Sequence, residues 1–231
     1  MNLLEYLLDA ASWVRPSGGI ALRIVQHLVL TLIAVGIAAV VAVSLGVLIG
    51  HVRRGRVAVR GVSQIARSVP TLGLLVLTVL LIGAGNVGVG LPLVILALPP
   101  ILAATVTGMH SADHDAVHTA RALGLSPVQV AVRIELPLAA PQVVAGLRSA
   151  TVQVVAVTTV AAYTGAGGLG RLIVDGQRVG PGGYPQMFAG AVLVAVLGIV
   201  LDVLLAAIGR LVGGRTGSRR AADDLALAPI L

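Results

Sequence analysis

Charged residues are scarce in this sequence: they make up 11% of its 231 residues, whereas apolar residues make up 57%. A typical soluble domain carries about 25% charged residues, so this chain has too little polar surface to coat a water-soluble globule. The composition excludes a disordered chain and argues strongly against a soluble enzyme. It predicts an all-α, polytopic membrane protein with short tails.

Lysine and cysteine are absent, and all 16 basic residues are arginine. Without lysine the chain cannot contain a P-loop, so it cannot hydrolyse ATP by that route. Without cysteine it has no disulfides, thiol catalysis or cysteine metal sites. A net charge of +7 would suit a nucleic-acid partner, but arginines in a membrane chain more often set its orientation, so no nucleic-acid partner is expected.

Five charge-poor stretches predict membrane spans, since a spanning helix needs about 20 mostly apolar residues. They run over about 27–50, 70–85, 91–109, 143–163 and 187–209. Pro99 and Pro100 predict a kink or local break in the third span.

The two ends of the chain differ from the spans. Residues 1–20 begin with apolar positions spaced for an amphipathic helix, which would lie on the membrane or on the protein surface. Residues 211–231 are glycine-rich and mixed in charge, which predicts a flexible cytoplasmic tail. The transmembrane domain is therefore expected over residues 21–210.

Arginine placement predicts the orientation, because cytoplasmic loops carry an excess of basic residues. Eleven arginines lie in the connections 51–69 and 110–142 and in the tail. Four lie on the opposite side, and Arg148 lies inside a span. With five spans, the N-terminus would be outside and the C-terminus inside, in a multi-pass protein of the cell membrane.

The connection 110–142 is the longest that is predicted to be cytoplasmic. Its sequence predicts a first helix over about 112–123, with Asp113 and Asp115 favouring the N-terminal end. Gly124 then occupies the position at which a helix often ends in a left-handed residue. The apolar residues of this connection need a cover, and a partner subunit is the natural candidate.

A second short helix is predicted after this turn. Ser126 can cap it, Pro127 suits its first position, and Gln129 completes a capping box three residues after the cap. Pro137 is expected to stop the helix. The result would be a helix-turn-helix held beneath the membrane.

Residues 118–137 resemble the cytoplasmic coupling loop of type I ABC-importer permeases, whose pattern is EAA, three residues, Gly, nine residues, Ile-x-Leu-Pro. His118 and Thr119 depart from the first two positions of that pattern. The resemblance implies that the loop 110–137 docks on a cytoplasmic ATPase subunit, which binds the ATP, so this chain needs no cofactor. The residues implied for docking are His118, Thr119, Ala120, Gly124, Leu125, Ile134, Leu136 and Pro137.

Further segments are similar to permeases that import quaternary-amine osmoprotectants such as glycine betaine, choline or carnitine. They are RSVPTLGLL at 67–75, the run 88–108, GLRSATVQVV at 146–155 and AAYTGAGGLG at 161–170. Methionine importers share the GGLG element, so an amino-acid permease is the alternative. The resemblance also implies an extracytoplasmic solute-binding protein and a second permease copy, either identical or paralogous.

Two motifs admit a sharper interpretation that we do not favour. GAGNVG at 83–88 and GAGGLG at 165–170 fit G-x-G-x-x-G, but a dinucleotide site needs a preceding strand. His110, His114 and His118 could suggest zinc, yet the outer pair would be about 12 Å apart on a straight helix, so no metal site is predicted. Gly46 and Gly50 form a GxxxG pair that could bring two helices together.

Arg148 and Asp202 are the charges inside spans, and their similar depth predicts an ion pair; a proton relay is the alternative.

Only five aromatic residues occur in the sequence, too few to form a cation–π cage easily. Tyr163, Tyr184 and Phe188 are expected near the outer face as weak pathway contacts. Specificity would then reside in the binding protein.

Two rival functions remain at this stage. A secondary transporter would need no ATPase, but such proteins often place ionisable groups at the midplane, whereas here the charges lie toward the cytoplasmic side. A non-transporting membrane scaffold is the other rival. No catalytic residues are predicted, and the favoured function is a permease subunit that passes a solute across the membrane.

Overall fold

The computed structural model describes residues 3–14, 18–53, 55, 58–59, 61, 63–64 and 68–226, with side chains described up to residue 213. No strand occurs within these ranges. Helices α1 to α10 run, in order, over Leu3–Leu8, Ala10–Val14, Ile20–Val52, Thr71–Ile82, Asn86–His110, His114–Ala122, Pro127–Val130, Leu136–Ala161, Gly170–Val179 and Tyr184–Ala226. A π-helical turn over Ala131–Glu135 joins α7 to α8. The all-α prediction is confirmed for the described residues.

Among the residues that the structure describes, four helical stretches are long and apolar enough to cross a membrane. They are Ile20–Val52, Asn86–His110, Pro127–Thr164 and Gly170–Gly213. The stretch predicted as the second span is α4, a 12-residue apolar helix. At 1.5 Å per residue it extends about 18 Å, which is shorter than a hydrocarbon core of about 30 Å. Four of the five predicted spans are therefore long enough to cross.

Of the kink or local break predicted at Pro99 and Pro100, the break is wrong, because α5 continues through both residues. Transmembrane helices tolerate proline where neighbouring helices pack against the interrupted segment. Leu93, Ala97 and Ile101 around this pair are fully buried in the core that α5 forms with α3 and α8. Packing thus keeps the helix continuous where local sequence predicts an interruption.

The prediction that Pro137 stops the second loop helix is also wrong. Pro137 lies at the start of α8, and the helix runs on from the π-helical turn. Leu136 donates its N–H to the carbonyl of Ala131, five residues back. The wider turn changes the hydrogen-bond register just before the proline, whose missing N–H then falls in a first helical turn, where it is tolerated.

Glycines bring the core helices into close contact. A Cβ at Gly46 would lie 2.6 Å from Cβ of Thr105, and one at Gly50 would lie 2.5 Å from Cβ of Met109. The contact predicted from the GxxxG pair of α3 is therefore confirmed, and its partner is α5. A Cβ at Gly146 of α8 would lie 2.5 Å from Cβ of Ala104, so α5 packs tightly against two helices.

The first segment of the chain forms two short helices, α1 and α2, which are separated at Asp9, where a single helix was expected. Tyr6 of α1 is buried in a cluster with Leu169, Leu172 and Ala189. The segment therefore lies on the protein, one of the two predicted placements.

At the other end of the chain, α10 continues to Ala226, past the predicted tail boundary at residue 211. The flexibility of that tail stays a prediction.

Candidate functional site

The loop 110–137 begins with α6 and a tight turn. Asp113 accepts the N–H of Asp115 at 2.9 Å and caps the helix. The helix ends in a Schellman motif: Leu125 donates its N–H to the carbonyl of Ala120, and Gly124 donates to that of Arg121. Gly124 has φ +83°, in the left-handed region that glycine adopts without strain.

The second loop helix, α7, starts with the predicted capping box. Gln129 donates its N–H to Oγ of Ser126 at 3.4 Å, and Ser126 donates its N–H to Oε1 of Gln129 at 2.8 Å. Pro127 occupies the first turn, where its missing N–H costs nothing. Local hydrogen bonds therefore hold both ends of the turn without help from another subunit.

The two loop helices share a small core of their own. Val117, Ala120 and Val130 are buried there, and Leu125 and Ile134 pack against them half-buried. Three residues that the resemblance implied for docking, namely Ala120, Leu125 and Ile134, therefore hold the two loop helices together. Their side chains shape the loop more than they cover its outer surface.

The outer surface of the loop consists of other residues. His118, Thr119, Gly124 and Pro137 are exposed there, while Leu136 is half-buried against Met109, Ala131 and Ala139. Three large apolar side chains, which sequence reasoning missed, are also exposed: Leu123 at 76%, Val128 at 71% and Val132 at 52%. We call these three residues the apolar loop surface. The sequence signal that could have identified these three residues is their position on the side of the loop opposite its core.

Two polar contacts tie the loop to the C-terminal end of α3. Nδ1 of His51 donates to Oε2 of Glu135 at 2.7 Å, and Glu135 is only 1% exposed. Arg53 ends α3 in a left-handed conformation and donates from Nη1 to Nε2 of His114 at 2.7 Å. Sequence analysis did not identify this connection, because its partners are 84 and 61 residues apart.

Arg148 and Asp202 lie together between α8 and α10. Nε of Arg148 donates to Oδ1 of Asp202 at 2.9 Å, and Nη2 donates to Oδ2 at 2.8 Å. Two parallel bonds of this kind fix both the distance and the orientation of the two groups. The side chains remain 38% and 36% exposed in the single chain.

The remaining candidate residues occupy separate environments. His110 donates from Nδ1 to the carbonyl of Val106, and His114 is the acceptor of Arg53. The part of the chain that the structure describes holds no group of three metal-ligating side chains. Tyr163, Tyr184 and Phe188 are all more than half exposed, and the hydroxyl of Tyr163 donates to Oε1 of Gln177 at 2.9 Å.

The GAGGLG segment is a turn that packs against the start of α3. Leu169 donates its N–H to Nδ1 of His27, whose Nε2 donates to the carbonyl of Val155. Gly168 has φ +95° and donates its N–H to Oε1 of Gln26 at 3.0 Å. The N–H groups of Gly168 and Leu169 therefore serve helix packing, as the turn interpretation of this motif expects.

Comparison with known proteins assigns this architecture to one family. A family model described as the inner membrane component of binding-protein-dependent transport systems matches residues 38–214. The chain is 35% identical over 210 residues to the choline transport system permease protein OpuBD of Bacillus subtilis, covering 89% of this chain and 90% of that protein. It is 36% identical over 180 residues to the carnitine transport permease protein OpuCD of Listeria monocytogenes, covering 78% and 80%.

Solved structures agree with this assignment. An inward-facing structure of the MetNI methionine ABC transporter has a TM-score of 0.72 at 25% identity, covering 86% of this chain and 99% of that one. A structure of an amino acid ABC transporter at 16% identity shares the fold, with a TM-score of 0.68. The chain belongs to the family of binding-protein-dependent transport system inner membrane components, which are multi-pass permeases of the cell membrane.

Proposed function

We propose that this chain is the membrane-spanning permease subunit of an ABC importer for a small quaternary-amine osmoprotectant: glycine betaine, choline or carnitine. The observation that carries the proposal is the cytoplasmic loop with its self-supporting fold and its apolar surface. Leu123, Val128 and Val132 stand exposed on a segment that has its own core and caps. Such a surface is suited to a protein partner.

The partner is a cytoplasmic ATPase subunit, and two permease subunits, identical or paralogous, form the transporter with two ATPase subunits. ATP binding closes the ATPase pair and pulls the docked loops together, which opens the path outward; hydrolysis resets it. The contacts of His51 with Glu135 and of Arg53 with His114 carry loop movement to α3. The ATP chemistry belongs to the partner, and this chain transmits movement.

High-affinity substrate recognition belongs to an extracytoplasmic solute-binding protein. The chain has only five aromatic residues; the candidates Tyr163, Tyr184 and Phe188 are exposed, and only Tyr184 and Phe188 lie within one helical turn of each other. A quaternary ammonium group is commonly held by several aromatic rings at once. The permease therefore offers a path of low affinity, and names of relatives such as the choline and carnitine permeases support the substrate class.

Docking can be tested by cross-linking, because the native chain has no cysteine. Val128→Cys on the apolar loop surface should form a cross-link to a nucleotide-hydrolysing subunit in native membranes. Val40→Cys is the matched control, since both valines are 71% exposed and Val40 lies in the middle of α3. Equal capture at the two positions, or none at Val128, would contradict the proposed docking surface.

The substrate can be tested by uptake into cells that carry the complete transporter. We expect uptake of labelled glycine betaine, choline or carnitine that needs the ATPase subunit. Competition by unlabelled methionine tests the alternative function, an amino-acid permease, which the likeness to the methionine transporter favours. Uptake that survives loss of the ATPase subunit would favour a secondary carrier and reject this proposal.

A further inference from the structure

The Arg148–Asp202 ion pair lies at membrane depth but is not enclosed. Asp202 is eight residues before Arg210 on α10, which places it about 12 Å from the cytoplasmic end of the span. More than a third of each side chain is exposed in the single chain. Charged groups at this depth face protein or water and not lipid, since exposure to hydrocarbon is costly.

A cavity opens beside the pair, between α8 and α10. Its volume is about 290 Å³, and its walls include Pro141, Ala145, Arg148, Ala206 and Arg210. That volume holds several water molecules, and the walls carry polar groups that can bind them. The small side chains Ala145 and Ala206 leave the space open, and Arg148 and Arg210 are the charged residues of its wall.

The exposed side of α8 supports contact with water. Over residues 142–156 its exposed positions are Gln142, Ala145, Ser149, Val152 and Ala156. In the corresponding part of α3 the exposed positions are mainly large aliphatic residues, including Leu32, Ile33 and Val40. α3 therefore presents a surface suited to lipid, whereas α8 presents small and polar groups next to an ion pair.

The charge of the cavity indicates what it would receive. Arg148 uses Nε and Nη2 for Asp202, which leaves Nη1 for another acceptor. Arg210 adds a second guanidinium on the same wall. With two cations against one anion, the cavity favours a carboxylate, for which arginine provides directed donors.

We propose that this cavity is a water-filled section of the substrate path and that it receives the carboxylate end of a zwitterionic quaternary amine. Arg148 and Arg210 bind the carboxylate, and Asp202 offsets part of their charge through its ion pair with Arg148. The water-filled path follows from the geometry alone, whereas the carboxylate preference rests on the proposed osmoprotectant function.

Cysteine accessibility tests the path in the assembled transporter. Single variants Ala145→Cys and Ser149→Cys are compared with Ser44→Cys, an exposed serine that lies eight residues before the end of α3. The reagent is sulfonatoethyl methanethiosulfonate, applied to inside-out vesicles with and without ATP. We expect labelling on α8 to be roughly tenfold or more faster than at Ser44, because the reaction needs a thiolate and hydrocarbon disfavours charge.

Two results would overturn the path. One is labelling on α8 as slow as at Ser44 in both nucleotide conditions. The other is spontaneous disulfide formation between two Ser149→Cys copies without labelling, which would show a dry subunit interface. If the Ala145 and Ser149 variants give the same result, that result is not caused by one substitution that distorts the helix.

Uptake kinetics test the carboxylate preference. Arg210→Gln should raise the apparent KM for glycine betaine several-fold and leave that for choline, which has no carboxylate, unchanged. Equal effects on both substrates would reject the preference. If neither substrate is transported, the proposed function fails, whereas fast labelling on α8 would still establish the path.

Discussion

Gly124 is the residue on which the turn of the cytoplasmic loop depends most directly. Its φ of +83° is left-handed, and no atom lies within 4 Å of a Cβ built on it. The obstacle to another residue is therefore conformational and not steric. A residue with a Cβ in this conformation costs about 1–2 kcal/mol, and asparagine tolerates it best.

Gly124→Ala should lower the thermal midpoint of the purified permease and reduce the amount of ATPase subunit that copurifies. We expect a loss of about 1 kcal/mol in stability, and a smaller loss for Gly124→Asn. Gly90→Ala is the control, because Gly90 lies within α5 and also has open space around it. If the alanine variants at positions 124 and 90 behave alike, the left-handed conformation is not what matters.

The Arg148–Asp202 pair makes a second residue-scale prediction. Either single reversal, Arg148→Asp or Asp202→Arg, places two like charges side by side and should reduce the amount of assembled permease in the membrane several-fold. The double swap restores opposite charges and should recover much of the loss. Quantification of membrane protein in the four strains measures this, and a double swap no better than the singles would disprove the coupling.

At the scale of elements, the loop and α3 form one mechanical unit. The π-helical turn Ala131–Glu135 lies between the loop core and α8, and it presents the buried carboxylate of Glu135 to His51. A direct hydrogen bond therefore joins the loop to the C-terminal end of α3, and the proposed function uses it to transmit movement of the loop. The Arg53–His114 bond adds a second connection at the start of α6.

Glu135→Ala should uncouple transport from ATP hydrolysis. Loss of the acceptor leaves His51 without this partner, at a cost of about 1–3 kcal/mol, but leaves the apolar loop surface intact. We expect solute uptake to fall several-fold while the ATPase subunit still binds and hydrolyses ATP. Arg133→Ala, an exposed position on the same turn, is the control. Parallel loss of docking and uptake would indicate unfolding of the loop.

Elements with local causes could be predicted from the sequence. The Asp113 and Ser126 caps and the Gly124 turn depend on residues within five positions of one another, and the structure forms each of them. The continuity of α5 through Pro99 could not be predicted, since it depends on packing against α3 and α8. The same holds for the passage from α7 through the π-helical turn into α8 at Pro137.

At the scale of the whole molecule, the orientation in the membrane stays a prediction. Eleven arginines on the side of the coupling loop favour a cytoplasmic location for that side. A fluorescent protein fused after Leu231 should therefore fluoresce, whereas alkaline phosphatase at the same place should be inactive. Active alkaline phosphatase at the C-terminus would contradict the predicted topology. It would place the docking loop outside the cell, where ATP is absent.

The sequence by itself determined the membrane environment, the helical class, the capped loop and the lack of a nucleotide site of the P-loop kind, because composition and short-range spacing decide these. It also placed Arg148 and Asp202 at one depth. Only the tertiary structure decided that Ala120 and Leu125 form the loop core while Leu123 and Val128 face outward. The His51–Glu135 contact and the cavity beside Arg148 likewise depend on helices distant in sequence, whose approach is set by packing of the whole core.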